Sequence, residues 1–480
     1  MGYDLKGGGA RSPVVFYAVI FVLAVLLYWK STGFEFLGSW DDDEYVLNNV
    51  YIFSFTLSNL KAIFTKTVLG NYAPLHILSY SLDRALWGLD PRGFHLTNVI
   101  LHALNACLVF AVVVRLGSKR WVAFAAALLF AVHPLNVENV AWVAERKTLL
   151  ASFFSMLALL SYMKYREGGG GGPGGPGGRE GRVAWSYTLC LLFFILGILT
   201  KPLIVTFPLI LLCYEVYMSR SGKRLAPLAP FFAIALIGAV AAVWAHMGSK
   251  SIEAGTLSTG VLFGEVYPTM LPVYWKYVWM VVWPFGLSGL YDTARYGSFL
   301  QPQVLASLVA WAVGFVLVFI KGSSRVRFWF LWFWLWFLPV SNLIPIPVYY
   351  ADRYMYLPAV AFFVLVGELT GKLAGKGGEG MAWRRVLGCA AVAAVVAFYG
   401  ALASNRLEVW RDDLVFWRDT ARKSPGLYKT RLNLGYAYEV KGFYAEAEGE
   451  YLAAIAIDPT PEAVSNLNMV RVKKKLHGDR

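Results

Sequence analysis

The chain has 480 residues, of which 58% are hydrophobic and 15% are charged. This composition excludes an ordinary soluble protein, in which about a quarter of the residues are charged. The net charge of +14 does not indicate a nucleic-acid-binding protein, because the basic residues form short clusters between apolar runs instead of one stripe. We therefore interpret the chain as an all-α, polytopic membrane protein.

Eleven apolar runs predict the membrane-spanning helices. They cover residues 13–29, 95–114, 121–133, 148–163, 183–199, 202–217, 228–246, 303–320, 328–344, 357–371 and 386–404. Basic residues gather in the connections at one end of these runs, and the positive-inside rule places that end in the cytoplasm. No small-residue cleavage site follows the first run, so we interpret it as a retained anchor with a cytoplasmic N-terminus.

Two further segments are predicted not to cross the bilayer. Residues 270–287 are apolar, but counting them as a span would move the basic cluster at 321–327 to the outer side, so we interpret them as an interfacial or re-entrant element on that outer side. The glycine-rich segment 166–182 predicts a flexible cytoplasmic linker.

The C-terminal tail has a soluble composition and the pattern of tetratricopeptide repeats. Gly435, Tyr451 and Pro459 fit the eighth, twenty-fourth and thirty-second positions of one repeat, and Trp417 fits the twenty-fourth position one register upstream. Residues 405–480 therefore predict about two repeats. So few repeats do not bury a continuous core, and the tail is expected to lean on the membrane domain or on a partner. A stabilising cap and a protein-recognition surface both remain open.

The odd number of spans places four chemically distinctive segments, and the tail, on the outer side. The segments are WDDDE (residues 40–44), HPLNVENVAWVAERKT (133–148), TKP (200–202) and YYADRYMYLP (349–358).

The first of these segments contains four consecutive acids. Asp41 and Asp42 lie at the foot of a transmembrane helix, where burial and mutual repulsion raise the pKa of a carboxylate and create a proton acceptor. A hydroxyl that attacks the C1 carbon of a sugar requires such a base. Asp43 and Glu44 are interpreted as solvated or helix-capping residues.

Five motifs, followed by the repeats, give the chain its resemblance to a known family. They are DDDEYVLNN, NYAPLHILSYSLDRALWGLDPRGFHLTNVILHALN, HPLNVENVAWVAERKTLLASFF, TKPLIVTFPLILL and ADRYMYLPAV. In order and spacing the chain resembles the bacterial relatives of the transmembrane-and-tetratricopeptide protein O-mannosyltransferases. This resemblance implies a glycosyltransferase of GT-C type with residues 1–404 as its transmembrane domain, a first outer loop at 31–94, and a polyprenyl-phosphate sugar as donor. It also implies that Asp41 and Asp42 are the essential acid pair.

We assign roles to the other polar residues of the outer segments from the chemistry of glycosyl transfer from a phosphate donor. A departing phosphate requires cations, and the candidates are Lys201, Arg146, Lys147 and Arg353. Acceptor or sugar binding is assigned to His133, Glu138, Asp352 and Tyr354. His133 could instead be a structural histidine at a helix end, and Lys201 could only snorkel to the interface. One histidine and one glutamate make a weak metal motif, so no metal and no obligatory cofactor are expected.

The sequence therefore favours an enzyme of the bacterial inner membrane that glycosylates an acceptor at the outer face with inversion. The preferred acceptor is a Ser or Thr hydroxyl of an exported protein, bound with the help of the repeats. A glycolipid or surface polysaccharide is the alternative acceptor. A transporter or non-enzymatic scaffold is a further alternative, although its ionisable groups would be expected near the middle of the membrane. The partners are the lipid donor, the acceptor and membrane lipids, without nucleic acid.

The eleven-span topology can be tested with reporter fusions. A reporter at Gly175 is expected on the cytoplasmic side, and a reporter beyond Asn405 on the outer side, because eleven spans separate the two termini. A cytoplasmic C-terminal reporter would contradict the topology and the shared outer face of the four segments.

Overall fold

The computed structural model describes residues 13–168, 178–219, 223–247, 259–346, 348–373 and 382–478. Within these ranges the chain is helical and forms no β-strand; Val68 and Asn71 make an isolated bridge. The all-α prediction is confirmed. The central part of the predicted glycine linker, residues 169–177, lies outside the described residues.

Helices coincide with the predicted apolar runs, and further helices lie between and after them. Before residue 260 they are α1 (Pro13–Tyr28), α2 (Leu57–Thr65), α3 (Pro74–Trp87), α4 (Pro91–Arg115), α5 (Arg120–Val132), α6 (Val137–Ala141), α7 (Arg146–Gly168), α8 (Gly178–Ile198), α9 (Phe207–Cys213) and α10 (Ala229–Met247). After it they are α11 (Tyr267–Val282), α12 (Pro302–Lys321), α13 (Ser324–Phe337), α14 (Val360–Leu373), α15 (Ala382–Leu407), α16 (Asp413–Lys423), α17 (Tyr428–Val440), α18 (Tyr444–Ile457) and α19 (Pro461–His477). A single helical turn lies at Thr259–Val261.

A multi-pass membrane protein is confirmed, although length and composition support fewer spans than predicted. In the described part of the chain, seven helices are long and apolar enough to cross a bilayer, and the bent pair Arg120–Val132 and Pro134–Ala141 raises this number to eight. The other predicted spans coincide with shorter helices: residues 202–218, α13 and α14.

Small residues allow the central helices to approach one another closely. Helix α5 buries an alanine-rich surface against α4 and α14. Gly367 of α14 lies so close to α5 that a Cβ atom there would come within 2.8 Å of the Val122 carbonyl oxygen. Such contacts between small residues are the usual basis of helix packing inside a membrane, where the hydrophobic effect does not drive association.

The apolar segment predicted at 270–287 is a helix, α11, with Pro272 inside it. At its beginning, the Tyr267 hydroxyl donates to the Leu343 carbonyl at 3.1 Å. At its end, the Val281 carbonyl lies 3.0 Å from Nε2 of His133, directly after α5. The eleven-span topology predicts both of these connections on the outer side, and the interfacial or re-entrant arrangement of this segment stays a prediction.

The four C-terminal helices reproduce the predicted repeat register. Gly435 of α17 faces the ring of Tyr451 in α18, and a Cβ atom at residue 435 would lie 2.7 Å from that ring. The eighth position therefore requires glycine because the two helices of the repeat touch there. The predicted domain boundary at 404–405 falls inside α15, which continues to Leu407.

Candidate active site

The loop that contains the four consecutive acids, which we call the acid loop, is joined to the rest of the domain through Asp42. One carboxylate oxygen of Asp42 accepts a hydrogen bond from the Leu37 amide at 2.9 Å, and the other accepts one from the Ala144 amide at 2.8 Å. The side chain is buried, and burial raises the pKa of Asp42 to about 7. Because both oxygens are engaged by backbone amides, Asp42 acts as a bridge between two segments.

Asp41 is the accessible member of the acid pair. Its side chain is partly exposed, and no hydrogen bond or ion pair engages its carboxylate within the described part of the chain. The remaining two acids have other surroundings. Asp43 accepts a hydrogen bond from the Asn48 side-chain amide at 2.8 Å, and Glu44 is exposed.

Five charged side chains, which we call the charged cluster, meet beside this loop: Glu138, Glu145, Lys147, Lys201 and Arg353. Glu145 lies 3.2 Å from the Lys201 ammonium, 3.4 Å from Arg353 Nε and 3.9 Å from the Lys147 ammonium. Glu138 binds the Arg353 guanidinium at 2.6 Å and its backbone amide at 2.9 Å. Three cations therefore share two carboxylates, which leaves one positive charge in excess.

The cations of the charged cluster remain within reach of a ligand. The side chains of Lys147, Lys201 and Arg353 are 13%, 12% and 10% exposed, whereas those of Glu138 and Glu145 are 0% and 2% exposed. The carboxylates thus lie behind the cations. Burial lowers the pKa of Lys201 to about 8, and the charges of Lys147 and Arg353 act in the same direction.

The acid loop and the charged cluster are neighbours. The amide that Asp42 accepts from belongs to Ala144, which directly precedes Glu145. The Lys147 ammonium lies 5.0 Å from the ring centre of Tyr45, four residues after Asp41. Burial raises the pKa of the Tyr45 phenol, and the charge of Asp41 raises it further. An accessible carboxylate and an excess of positive charge thus share one region.

Two predicted site residues are engaged elsewhere. Arg146 is fully buried and binds Asp83 at 2.5 Å and the Asn98 side-chain oxygen at 2.8 Å. Both ring nitrogens of His133 are occupied, one by the Val281 carbonyl and the other by the Leu135 amide. The structure thus joins neither residue to the charged cluster, and it supports the structural alternative for His133.

Asp352 and Tyr354, the sequence neighbours of Arg353, make different contacts. Asp352 accepts a hydrogen bond from the Tyr291 hydroxyl and lies 3.7 Å from the Arg406 guanidinium, so its ion-pair partner is not the adjacent Arg353. Burial raises the pKa of Asp352 to about 7, and Arg406 opposes this shift. The ring centre of Tyr354 lies 5.1 Å from the Arg353 guanidinium carbon, as in a cation–π contact.

The sequence analysis missed three residues that organise this region. Glu145 joins three cations, Tyr45 lies under Lys147, and Trp142 lies 5.6 Å from the Arg353 guanidinium carbon. Glu145 and Trp142 belong to the quoted stretch 133–148, and the acid between Ala144 and two basic residues was an available signal. Within the described ranges, no three His, Cys, Asp or Glu residues are grouped closely enough to hold a metal.

Comparisons with known proteins agree with the motif order. No protein-family model matches the chain. Protein O-mannosyl-transferase TMTC3 of Mus musculus is 25% identical over 98% of this chain and 54% of its own length. Tmtc3 of Drosophila melanogaster is 25% identical over 85% of this chain and 50% of its own length. Protein O-mannosyl-transferase TMTC2 of Homo sapiens is 42% identical over 18% of this chain and 10% of its own length.

Among solved structures, the comparison matches this chain to ArnT from Cupriavidus metallidurans bound to undecaprenyl phosphate. It is 14% identical, with a TM-score of 0.40, over 97% of this chain and 78% of that one. The chain spans about half the length of the curated relatives that it matches over most of its own length. It is similar over nearly its whole length to the TMTC protein O-mannosyl-transferases, and the resemblance predicted from its motifs is confirmed.

Proposed function

We propose that this protein transfers a sugar, with mannose as the first candidate, from a polyprenyl phosphate to a hydroxyl of an exported protein. The observation that carries the proposal is the position of the partly exposed Asp41 carboxylate beside a cluster of three accessible cations. The names of the curated relatives support a protein acceptor and mannose. The proposed location of the reaction is the outer face of a bacterial inner membrane, where the positive-inside rule places the acid loop.

In the proposed reaction, Asp41 is the general base. The acceptor hydroxyl attacks C1 of the sugar and loses its proton to the Asp41 carboxylate, while the bond from C1 to the phosphate oxygen breaks. The electron pair of that bond leaves with the polyprenyl phosphate. Because the attacking and leaving oxygens lie on opposite faces of C1, the configuration of the sugar inverts, and a β-linked donor gives an α-linked product.

The charged cluster would bind the phosphate of the donor. A sugar phosphodiester has one negative charge, which matches the single excess positive charge of the cluster. When the bond to C1 breaks, more negative charge develops on the phosphate, and preorganised cations stabilise that charge most strongly in the transition state. We assign this role to Lys147, Lys201 and Arg353, with Glu138 and Glu145 holding them in place.

The two acids of the pair are expected to respond differently to substitution. Asp41→Asn removes the base and is expected to lower the single-turnover rate of transfer by about 10²- to 10⁴-fold, with donor binding retained. Asp42→Asn replaces one of two acceptor oxygens with an NH₂ donor, so it is expected to weaken the loop attachment and lower the stability by about 1–3 kcal/mol. Transfer rates and thermal unfolding of the purified protein measure the two effects.

Asp43→Asn and Glu44→Gln serve as matched controls in the same segment. Both are expected to leave the transfer rate within a few-fold of that of the unchanged protein. Neither side chain takes part in the hydrogen bonds that join the loop to Leu37 and Ala144. A normal transfer rate for Asp41→Asn would overturn the assignment of the base. Absence of transfer from polyprenyl-phosphate mannose and from the other common polyprenyl-phosphate sugars by the unchanged protein would overturn the proposed function itself.

Lys201 is expected to give donor binding a pH dependence. Since burial lowers its pKa to about 8, the ammonium is charged below that pH and loses its charge as the pH rises above it. The Kd for a polyprenyl-phosphate sugar should therefore rise between pH 7 and pH 9.5. Loss of one charge-assisted contact corresponds to a change of about 10- to 100-fold.

Two substitutions isolate this effect. Lys201→Met should bind the donor weakly at both pH values, whereas Lys201→Arg remains charged and should lose the pH dependence. A Kd that changes with pH equally in all three proteins would assign the titration to another group and remove Lys201 from phosphate binding.

A further inference from the structure

We infer that helix α16, the first helix after the membrane domain, positions the catalytic loop through Asp413 and Trp417. This inference rests on the proposed function, in which Asp41 of that loop is the base. Asp413 and Trp417 would be positioning residues, because they act on Asp41 through Ser39 and Trp40 and do not touch the reacting atoms themselves.

The first link is a hydrogen-bond network centred on Ser39, two residues before Asp41. The Ser39 amide lies 3.3 Å from both carboxylate oxygens of Asp413, and the Ser39 hydroxyl donates to the same carboxylate. The indole N–H of Trp417 donates to the Ser39 hydroxyl oxygen at 2.6 Å. All of these partners come from α16. Hydrogen bonds to a carboxylate are stronger than those between neutral groups.

The second link is the packing of Trp40, the residue between Ser39 and Asp41. Its ring centre lies 4.4 Å from that of Trp142, 4.9 Å from that of Phe416 and 5.3 Å from that of Trp417. Phe416 and Trp417 belong to α16, whereas Trp142 lies beside the charged cluster. Trp40 is therefore clamped between α16 and the segment that leads to Glu145.

The other end of α16 is attached to a different outer connection. The Lys423 ammonium donates to the Leu287 carbonyl at 2.6 Å, and the Ser424 hydroxyl donates to the Leu290 carbonyl at 2.9 Å. Between these contacts, Gly289 packs directly on the Phe416 ring, and a Cβ atom there would lie 2.2 Å from it. The helix is thus held at both ends and is a firm support for the loop.

Asp42 alone does not determine the place of Asp41. It fixes the loop to Leu37 and Ala144, but Ser39 and Trp40 lie between Leu37 and the acid pair and make their contacts with α16. Weakening these contacts would allow Asp41 to shift relative to C1 of the donor. A shift of about 1 Å in a catalytic group lowers the rate by up to about 10²-fold.

The test uses three variants: Asp413→Asn, Ser39→Ala and the double variant that carries both changes. The control is Glu448→Gln in α18, because the ion-pair partners of Glu448, Arg471 and Lys474, lie within the repeat tail. Asp413→Asn and Ser39→Ala are expected to lower kcat by about tenfold or more while the donor KM stays within about twofold. The double variant should be no slower than the slower single variant, because both changes break the same contact. Ser39→Thr, which keeps the hydroxyl, should restore most of the rate, and Glu448→Gln should match the unchanged protein.

A second measurement does not depend on activity. Amide hydrogen exchange over residues 39–44 should become faster in Asp413→Asn and Ser39→Ala and remain unchanged in Glu448→Gln. Unchanged exchange, or a normal kcat for folded Asp413→Asn and Ser39→Ala, would overturn the positioning role. If Asp413→Asn does not fold, the pair Ser39→Ala and Ser39→Thr decides the question. Absence of transfer by the unchanged protein would contradict the proposed function. The exchange experiment would still show whether α16 supports the loop, because it does not depend on activity.

Discussion

The buried carboxylate of Asp42 is the interaction on which the geometry of the site depends. It accepts hydrogen bonds from two backbone amides that are far apart in the sequence, those of Leu37 and Ala144. An ionised carboxylate away from water is unfavourable unless hydrogen bonds replace its hydration, so the bridge persists only when both segments are in place. The bridge fixes one side of Asp41, the adjacent residue, while the Asp41 carboxylate itself stays accessible.

The same bridge places the Asp41 carboxylate near the cations of the charged cluster. Ala144 directly precedes Glu145, around which Lys147, Lys201 and Arg353 gather. Without their shared carboxylates the three cations would repel one another at these distances. With them the cluster still has a surplus of positive charge, and the charges of Lys147 and Arg353 add to the lowering of the Lys201 pKa that burial causes. Such a balance suits the reversible binding of an anionic lipid that we propose for this cluster.

The sequence predicted the parts of this molecule that depend on side-chain pattern. Apolar runs located the helices, Gly435 located the repeat, and the acid run located the loop. The different roles of Asp41 and Asp42 could not be predicted, because the partners of Asp42 are backbone amides, which have no signature in the sequence. The sequence also could not show that Lys147 belongs to the charged cluster and that Arg146 does not. Adjacent residues on a helix point about 100° apart, and only the fold shows that one faces α3 and α4 while the other faces the site.

The contact between Ser39 and Asp413 joins residues 374 positions apart in the sequence. A ribosome therefore finishes almost the whole membrane domain before the acid loop meets its support. Until α16 has been synthesised, Trp40 lacks the aromatic partners that α16 provides. The order of synthesis thus makes the support of this loop a late event of assembly. A chain that stops before α16 would carry Asp41 and the whole charged cluster and yet lack that support of the loop.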